Sequence, residues 1–121
     1  MKESIIRVKS FQFAIRVVNM FKFLIDEKKE YIMSKQLLRC GTSIGANCRE
    51  GDYAQSKADF IHKLSISQKE CNETMYWLEL LNATNYIDNL EYKSINTDAV
   101  EIMKLLTAII VTSKKSLNIK H

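Results

Sequence analysis

The stretch of sequence that decides the fold reads Arg39-Cys40-Gly41-Thr42-Ser43-Ile44-Gly45-Ala46-Asn47-Cys48-Arg49-Glu50. Gly41 and Gly45 are four residues apart, so in a helix they lie on the same face. A glycine inside a helix costs about 1 kcal/mol relative to alanine, so a compensating contact is expected. The contact that glycine permits is the close approach of a neighbouring helix. The stretch therefore predicts a tight helix crossing, with Gly41, Gly45 and Ala46 at the contact.

The sequence on either side of this stretch has the apolar periodicity of amphipathic helices. Apolar residues recur at spacings of three and four in the segments 6–26, 33–51, 57–83 and 97–117. In the third segment, small residues (Ser67 and Cys71) stand in the middle of the apolar line, which predicts a second close helix contact there. Helices joined by short loops predict an all-α fold, an antiparallel up-down-up-down four-helix bundle, with residues 1–121 as a single domain.

The sequence also predicts how individual helices begin, end and pack. Ser34 is a candidate N-cap of the second helix, and Gly51 a candidate left-handed residue at its end. Ser56, followed by Asp59, resembles a capping box for the third helix. The first helix carries two apolar lines, one through Phe11 and one through Phe13, a width that suits contact with more than one neighbour.

The composition favours a compact cytoplasmic protein. The 121 residues include no proline and only three glycines, and 46% of them are hydrophobic against 26% charged. No segment has the roughly 18 continuous apolar residues of a membrane span, and the N-terminus lacks the features of a signal peptide. Three cysteines without metal-ligand spacing suit a reducing compartment. A cytoplasmic location is therefore expected, with no membrane partner.

The positive charge is concentrated in the first part of the chain. Residues 1–69 hold thirteen Lys/Arg and seven Asp/Glu, whereas residues 70–121 hold five and seven, which gives the net charge of +4. Basic surface attracts polyanions, although a modest positive charge is also common in proteins without such partners. If RNA or DNA is bound, the candidate phosphate contacts are Arg7, Lys9, Arg16, Lys22, Lys35, Arg49, Lys57 and Lys63. Tyr53 is the one aromatic residue expected outside the core stripes.

The residues do not predict an enzyme. A ferritin-like di-metal site needs a Glu-x-x-His on each of two helices, and Asp59-Phe60-Ile61-His62 is the only comparable pattern. The cysteines form no Cys-x-x-Cys pair, and no phosphate-binding glycine loop is present. A Cys–His pair formed by His62 with Cys48 or Cys71 is a weaker interpretation than buried structural cysteine. No catalytic residue, cofactor or metal is expected.

A polar stripe in the deciding stretch has two interpretations. Arg39, Ser43, Asn47 and Glu50 recur at spacings of four, four and three. The stripe is either a solvated helix face or a contact surface for another subunit or a ligand, where Arg39 can give a charge-assisted hydrogen bond to a carboxylate.

The central block of the chain also resembles a known family. The residues that carry the resemblance are Gln36–Arg39, Gly41–Asn47, Glu50, Ser56–Phe60, Lys63-Leu64, Glu70, Glu73-Thr74 and Tyr76–Leu78. They resemble the bacterial four-helix-bundle proteins encoded by intervening sequences of 23S ribosomal RNA genes, often labelled ribosomal proteins, and related to accessory proteins of diversity-generating retroelements. The resemblance implies a bundle that assembles into a homopentameric ring and carries no catalytic residue.

Two classes of function remain open from the sequence. The first is a non-enzymatic homo-oligomer that binds RNA or other nucleic acid through basic surface. The second is an oligomeric scaffold, structural or protein-binding, without a nucleic-acid role. Clustering of the positive charge on one face of the assembly favours the first class, and scattered charge favours the second.

Overall fold

Four helices make up the regular structure of the described chain. A computed structural model of the protein describes residues 2–119, and the surroundings of side chains are described for residues 5–118. The helices are α1 (Lys2–Asp26), α2 (Met33–Gly51), α3 (Lys57–Ala83) and α4 (Asn89–Ile119). Each helix packs against the helices before and after it in the chain, and α1 closes the bundle against α4. The predicted all-α four-helix bundle is confirmed.

Contacts between helices establish the antiparallel register. Gly45 of α2 packs on Ser10 of α1, and Gly41 packs on Val17. The earlier residue of α2, Gly41, thus contacts the later residue of α1, Val17, so the two helices run in opposite directions. Between α1 and α4, Lys9 pairs with Glu101 and Arg16 with Asp98 in the same sense.

The interior is formed by one apolar line from each helix. In α1 the buried line runs through Phe13, so the line through Phe11 lies outside the core, and Phe11 itself is 56% exposed. The largest fully buried side chains are Phe13, Val17, Leu24, Leu37, Ile44, Leu64, Thr74, Leu78, Leu81, Ile95, Ile102 and Leu106. The β-branched run Ile109–Thr112 is helical within α4.

Two predicted details at the ends of α2 are wrong. Ser34 lies inside the helix, and its hydroxyl donates to the carbonyl of Glu30 at 2.7 Å. The N-terminal N–H groups of α2 are instead satisfied by the Glu30 carboxylate, which accepts from the backbone of Ile32, Met33 and Ser34 at 3.2, 3.1 and 2.7 Å. Gly51 has a negative φ; it is buried, and a Cβ there would lie 3.0 Å from Leu64 Cδ1. Its role is packing against α3.

Local hydrogen bonds from side chains determine where α3 and α4 begin. The Ser56 hydroxyl accepts from the backbone N–H of Asp59 at 3.0 Å, which confirms the Ser56 half of the predicted capping box. Among the described residues, the Asp59 carboxylate does not return a hydrogen bond to the Ser56 N–H. The start predicted for α4, near residue 97, is wrong. Asp88 accepts from the N–H of Glu91 at 2.8 Å and starts the helix at Asn89. Ile95 is the first fully buried residue of α4.

Candidate nucleic-acid interface

Three of the predicted packing residues lie at contacts of α2, two of them against α1 and one against α3. A Cβ at Gly41 would lie 2.8 Å from both methyl carbons of Val17, and one at Gly45 would lie 3.3 Å from Ser10 Oγ. Both glycines thus face α1. On α3, the hydroxyl of Ser67 donates to the carbonyl of Ile44 on α2 at 2.8 Å.

The other two members of the predicted packing set lie apart from these contacts. The Cys71 thiol, also on α3, donates to the carbonyl of Ala99 on α4 at 3.4 Å. Ala46 is exposed and lines a surface groove beside α1.

The three cysteines are buried thiols without nucleophilic character. Burial raises the pKa of Cys40 and Cys48, and it raises the pKa of Cys71 to about 12. A thiol with a raised pKa is protonated at neutral pH, and the thiolate is the reactive form. The Cys48 thiol lies 3.5 Å from the hydroxyl of Ser67, so it contributes to the contact between α2 and α3.

The polar stripe of α2 forms contacts within the chain. The Arg39 guanidinium donates to Glu70 at 3.1 Å and to Glu73, both on α3. The indole N–H of Trp77 also donates to Glu73 at 3.0 Å, and these two hydrogen bonds, that of Trp77 first, lower the pKa of the Glu73 carboxyl. At the other end of the stripe, Glu50 accepts from Lys63 Nζ at 3.0 Å.

The two middle residues of the stripe bond to their own helix. Ser43 donates to the carbonyl of Arg39 at 2.6 Å, and Asn47 donates to the carbonyl of Ser43 at 2.9 Å. Arg39 and Glu50 therefore tie α2 to α3, whereas Ser43 and Asn47 bond to α2 itself.

The antiparallel arrangement divides the charged side chains between two ends of the bundle. The basic end is formed by residues 5–13, 42–69 and 101–118, which carry nine Lys/Arg and four Asp/Glu, a net charge of +5. The acidic end is formed by residues 14–41 and 70–100, which carry seven Lys/Arg and nine Asp/Glu, a net charge of −2. The described part of the chain is thus polarised along the bundle axis.

The eight predicted phosphate contacts do not form one surface. Five lie at the basic end, namely Arg7, Lys9, Arg49, Lys57 and Lys63, and three lie at the acidic end, namely Arg16, Lys22 and Lys35. Sequence reasoning missed Lys69, Lys104, Lys114 and Lys115, which the fold adds to the basic end. The signal was the excess of lysine near the C-terminus, because an antiparallel α4 returns to the end where α1 begins. Lys120 lies outside the described residues.

Half of the predicted contacts are already engaged by carboxylates. Arg7 pairs with Asp52 at 3.0 Å, Lys9 with Glu101 at 3.2 Å and Lys63 with Glu50 at 3.0 Å. Arg16 pairs with both Asp98 and Glu91, at 2.9 and 3.3 Å. Among the side chains of residues 5–118, no carboxylate forms an ion pair with Arg49, Lys57, Lys22 or Lys35.

A groove opens at the basic end between α1, the end of α2, the α2–α3 loop and the start of α3. Its volume is about 690 Å³. Its floor is made of small side chains, and its rim of charged and aromatic ones. The guanidinium of Arg49 lies 5.9 Å from the centre of the Phe11 ring, and Tyr53 is 84% exposed.

The described residues offer neither a metal site nor a membrane span. No group of three or more His, Cys, Asp or Glu side chains in this part of the chain is placed to hold a metal ion. None of the four helices, as far as they are described, is long and apolar enough to cross a membrane.

Comparison with known proteins places the chain in a family. Residues 2–108 match the model of the 23S rRNA-intervening sequence protein family. The chain belongs to this family. It is also similar to a protein of unknown function from the S23 ribosomal protein family of Bacteroides thetaiotaomicron, whose crystal structure is known. The two chains are 60% identical, with a TM-score of 0.90 over 91% of this chain and 98% of the other. Among curated proteins there is no match.

The family resemblance inferred from the central block is confirmed by this membership. Neither the family nor the Bacteroides protein is described by an enzymatic activity. The geometry of the described residues is that of a helical bundle with a polarised surface.

Proposed function

We propose that this protein is a self-assembling, non-enzymatic helical bundle that binds nucleic acid through its basic end. The observation that carries the proposal is the polarised charge, +5 at the basic end against −2 at the acidic end. Clustered positive charge creates a potential that concentrates polyanions, whereas scattered charge of the same sum does not. RNA and DNA are the polyanions that match an extended basic surface.

The proposed phosphate contacts differ in whether they already form an ion pair with a carboxylate. Arg49 and Lys57 form no ion pair within residues 5–118, so they can bind phosphate without losing a carboxylate partner. Arg7 and Lys63 are paired with carboxylates in half-exposed positions. Surface ion pairs contribute only about 0–1 kcal/mol, so they can exchange for a phosphate oxygen. Lys114 and Lys115 add exposed charge from α4.

Self-assembly is supported by exposed apolar side chains on α1. Ile5, Val8 and Ile15 are 43%, 56% and 48% exposed, and we name them the outer α1 face. Contiguous exposed apolar side chains mark interaction surfaces more often than single ones do. In a cyclic assembly the symmetry puts equivalent ends of all subunits at one height along the axis. A ring, a pentamer by the family resemblance, therefore joins the basic ends into one circular surface.

The experiment that tests the proposal is a filter-binding titration against structured RNA at several salt concentrations. The variant Lys57→Glu with Lys114→Glu reverses two charges at the basic end. The matched control, Lys22→Glu with Lys35→Glu, makes the same change in net charge at the acidic end. We expect the first variant to weaken binding by about tenfold or more and to reduce the salt slope, because each neutralised phosphate adds about 0.7–0.9 to that slope. Equal effects of the two variants would show that the basic end has no special role.

A specific observation favours a second candidate, an oligomeric scaffold without nucleic acid. Arg7, Lys9, Arg16 and Lys63 each pair with a carboxylate of another segment, which is the arrangement of charges that stabilise a fold. The same titration separates the candidates. An assembled protein that binds neither RNA nor DNA at low salt supports the scaffold.

A further inference from the structure

The groove at the basic end has a character that phosphate contacts alone do not explain. Phosphate binding requires cations on an accessible surface, whereas this groove also has a recessed floor and aromatic side chains at its rim. The residues concerned are Phe11 on α1, Arg49 on α2 and Tyr53 on the α2–α3 loop, all of which line the groove. Exposing an aromatic side chain to water is unfavourable, so a group of them at the surface of a bundle suggests that a ligand covers them. Because these rings lie beside cations, the matching ligand has both flat apolar faces and negative charge.

Arg49 has a planar group with an aromatic ring against it. Its guanidinium lies 5.9 Å from the centre of the Phe11 ring, within the range of a cation–π contact. Arg49 is exposed and forms no ion pair in the described part of the chain. A guanidinium held in this way offers a plane on which a nucleobase can stack, in addition to a charge for a phosphate.

Tyr53 offers a second plane. It is 84% exposed, although its backbone is fixed by a hydrogen bond from its N–H to the carbonyl of Glu50 at 3.1 Å. The following residue, Ala54, is fixed in the same way to Gly51. The loop therefore holds the tyrosine at the rim of the groove, while the ring remains uncovered by the rest of the chain.

The floor of the groove leaves room for a nucleotide. It is lined by Ser10, Ala14, Thr42, Gly45 and Ala46, all of them small. The helix contact at Gly45 brings α1 and α2 together, and no bulky side chain fills the space above that contact. The volume, about 690 Å³, lies in the range of about 300–1,000 Å³ that is usual for small-molecule sites.

We infer that the groove takes an unpaired nucleobase, stacked on Tyr53 and Arg49, and that the protein prefers single-stranded to double-stranded nucleic acid. The inference rests on the proposed nucleic-acid function and specifies its substrate class. In a duplex the faces of the bases are covered by their neighbours, so side chains cannot stack on them. In a single strand each base has a free face, and stacking on an aromatic residue tolerates any sequence. The groove is lined by three cations, Arg7, Arg49 and Lys63, and by the carboxylates of Glu50 and Asp59. Arg7 and Lys63 provide charge for the adjoining phosphates by exchanging their present partners, Asp52 and Glu50, for phosphate oxygens.

The test measures fluorescence anisotropy of one labelled strand, alone and as a duplex, with the full chain. Tyr53→Leu removes the ring, and its matched control Tyr53→Phe keeps it. We expect Tyr53→Leu to weaken single-strand binding by about five- to a hundredfold, with duplex binding and the salt slope unchanged. Tyr53→Phe leaves both affinities at the parent values. Arg49→Lys keeps the charge but loses the plane, so it weakens the single-strand complex more than the duplex complex.

The outcomes distinguish the inference from the function on which it rests. Parent protein that binds neither form of nucleic acid overturns the proposed function. Parent protein that binds both forms equally, with Tyr53→Leu at parent affinity, overturns the groove inference and leaves the charged surface in place. Because Tyr53 is exposed, the variants are expected to keep the melting temperature of the parent, and circular dichroism checks that they are folded.

Discussion

At Gly41 the missing side chain lets α1 and α2 approach until the methyl groups of Val17 fill the space of a Cβ. The distance from an ideal Cβ to those carbons is 2.8 Å, shorter than side-chain carbons tolerate. Valine is restricted to few rotamers, so it cannot turn away easily. The sequence was enough to predict that these glycines lie at a crossing, because their spacing is local. It was not enough to identify Val17, since the partner depends on the register of two helices.

A first prediction therefore concerns the pair Gly41 and Val17. In the parent protein, Gly41→Ala should lower the melting temperature, because overpacking costs about 1–3 kcal/mol, which exceeds the helix-propensity gain of at most about 1 kcal/mol. In a Val17→Ala background the same change should cost less, since the obstructing methyl groups are gone and only the Cβ of residue 17 remains close, at 3.2 Å. Thermal melts of the four proteins measure the difference between the two backgrounds. A stabilising Gly41→Ala in both backgrounds would disprove the close contact.

A second prediction concerns Glu30, a buried carboxylate that sequence reasoning missed. Burial raises the pKa of Glu30, but hydrogen bonds from the backbone of Ser34, Met33 and Ile32 together outweigh burial and leave the pKa below its ordinary value. A lowered pKa means that the folded state binds fewer protons than the unfolded state. The stabilisation is therefore present above the ordinary pKa of 4.5 and is lost as the pH falls through the lower folded value.

The variant Glu30→Gln tests this role. We expect it to destabilise the protein at neutral pH by about 0.5–2 kcal/mol, the usual loss for a helix cap. The difference from the parent should shrink as the pH falls from 4.5 through the lower pKa of the folded parent, where the carboxylate becomes protonated. Urea melts at several pH values measure it. A difference that stays constant down to strongly acidic pH would mean that the charge of Glu30 is not involved.

At the scale of helices, the sequence predictions were wrong at helix starts where a residue other than the predicted one caps the helix. Ser56 was predictable because its partner, Asp59, lies in the next turn of the same segment. Ser34 has the residue type of a cap, but Glu30, four residues earlier, accepts from the N–H groups where the helix actually begins, and it does so with a charged acceptor. The start of α4 was missed because residues 89–94 are mostly polar and resemble a loop. There the cap at Asp88 and the packing of Ile95 extend the helix.

The extended α4 gives the third prediction. Ser94→Pro should destabilise the bundle by about 3 kcal/mol, because a proline inside a helix removes a hydrogen bond and clashes with the preceding turn. The control Asn89→Pro puts proline at the first position of the helix, where the backbone tolerates it. It removes one exposed side-chain hydrogen bond, from Asn82 at 2.9 Å, so it should cost much less than Ser94→Pro. If α4 instead began near residue 97, Ser94→Pro would be nearly harmless. Denaturant unfolding of the two variants distinguishes these starting points.

At the scale of the whole molecule, the charge is distributed differently along the bundle axis than along the sequence, because the helices are antiparallel. The excess of bases in residues 1–69 is shared by both ends, because α1 and α2 each run the full length of the bundle. Carboxylates of α3 and α4 then neutralise the bases at one end, as Arg16 and Arg39 illustrate. Such pairing depends on which helices are neighbours, so composition alone predicts the total charge but not its position.

The last prediction links assembly to binding. Ile15 belongs to the outer α1 face and is 48% exposed, so Ile15→Lys should leave the bundle folded while placing a charge in the proposed subunit contact. We expect light scattering to give about 14.0 kDa for this variant, against about 70 kDa for a pentameric parent. The control Leu90→Lys adds the same charge at a side chain that is 83% exposed at the acidic end, and should keep the parent mass.

The affinity for RNA should decrease when the oligomer dissociates into monomers. A single basic end offers few phosphate contacts, whereas a ring presents several at once and gains from their effective concentration. The monomeric Ile15→Lys variant should therefore bind RNA more weakly and with a smaller salt slope, although the added lysine by itself favours binding. This opposition makes the result decisive, because the charge effect and the assembly effect have opposite signs. A monomer that binds as tightly as the parent would show that each bundle acts alone.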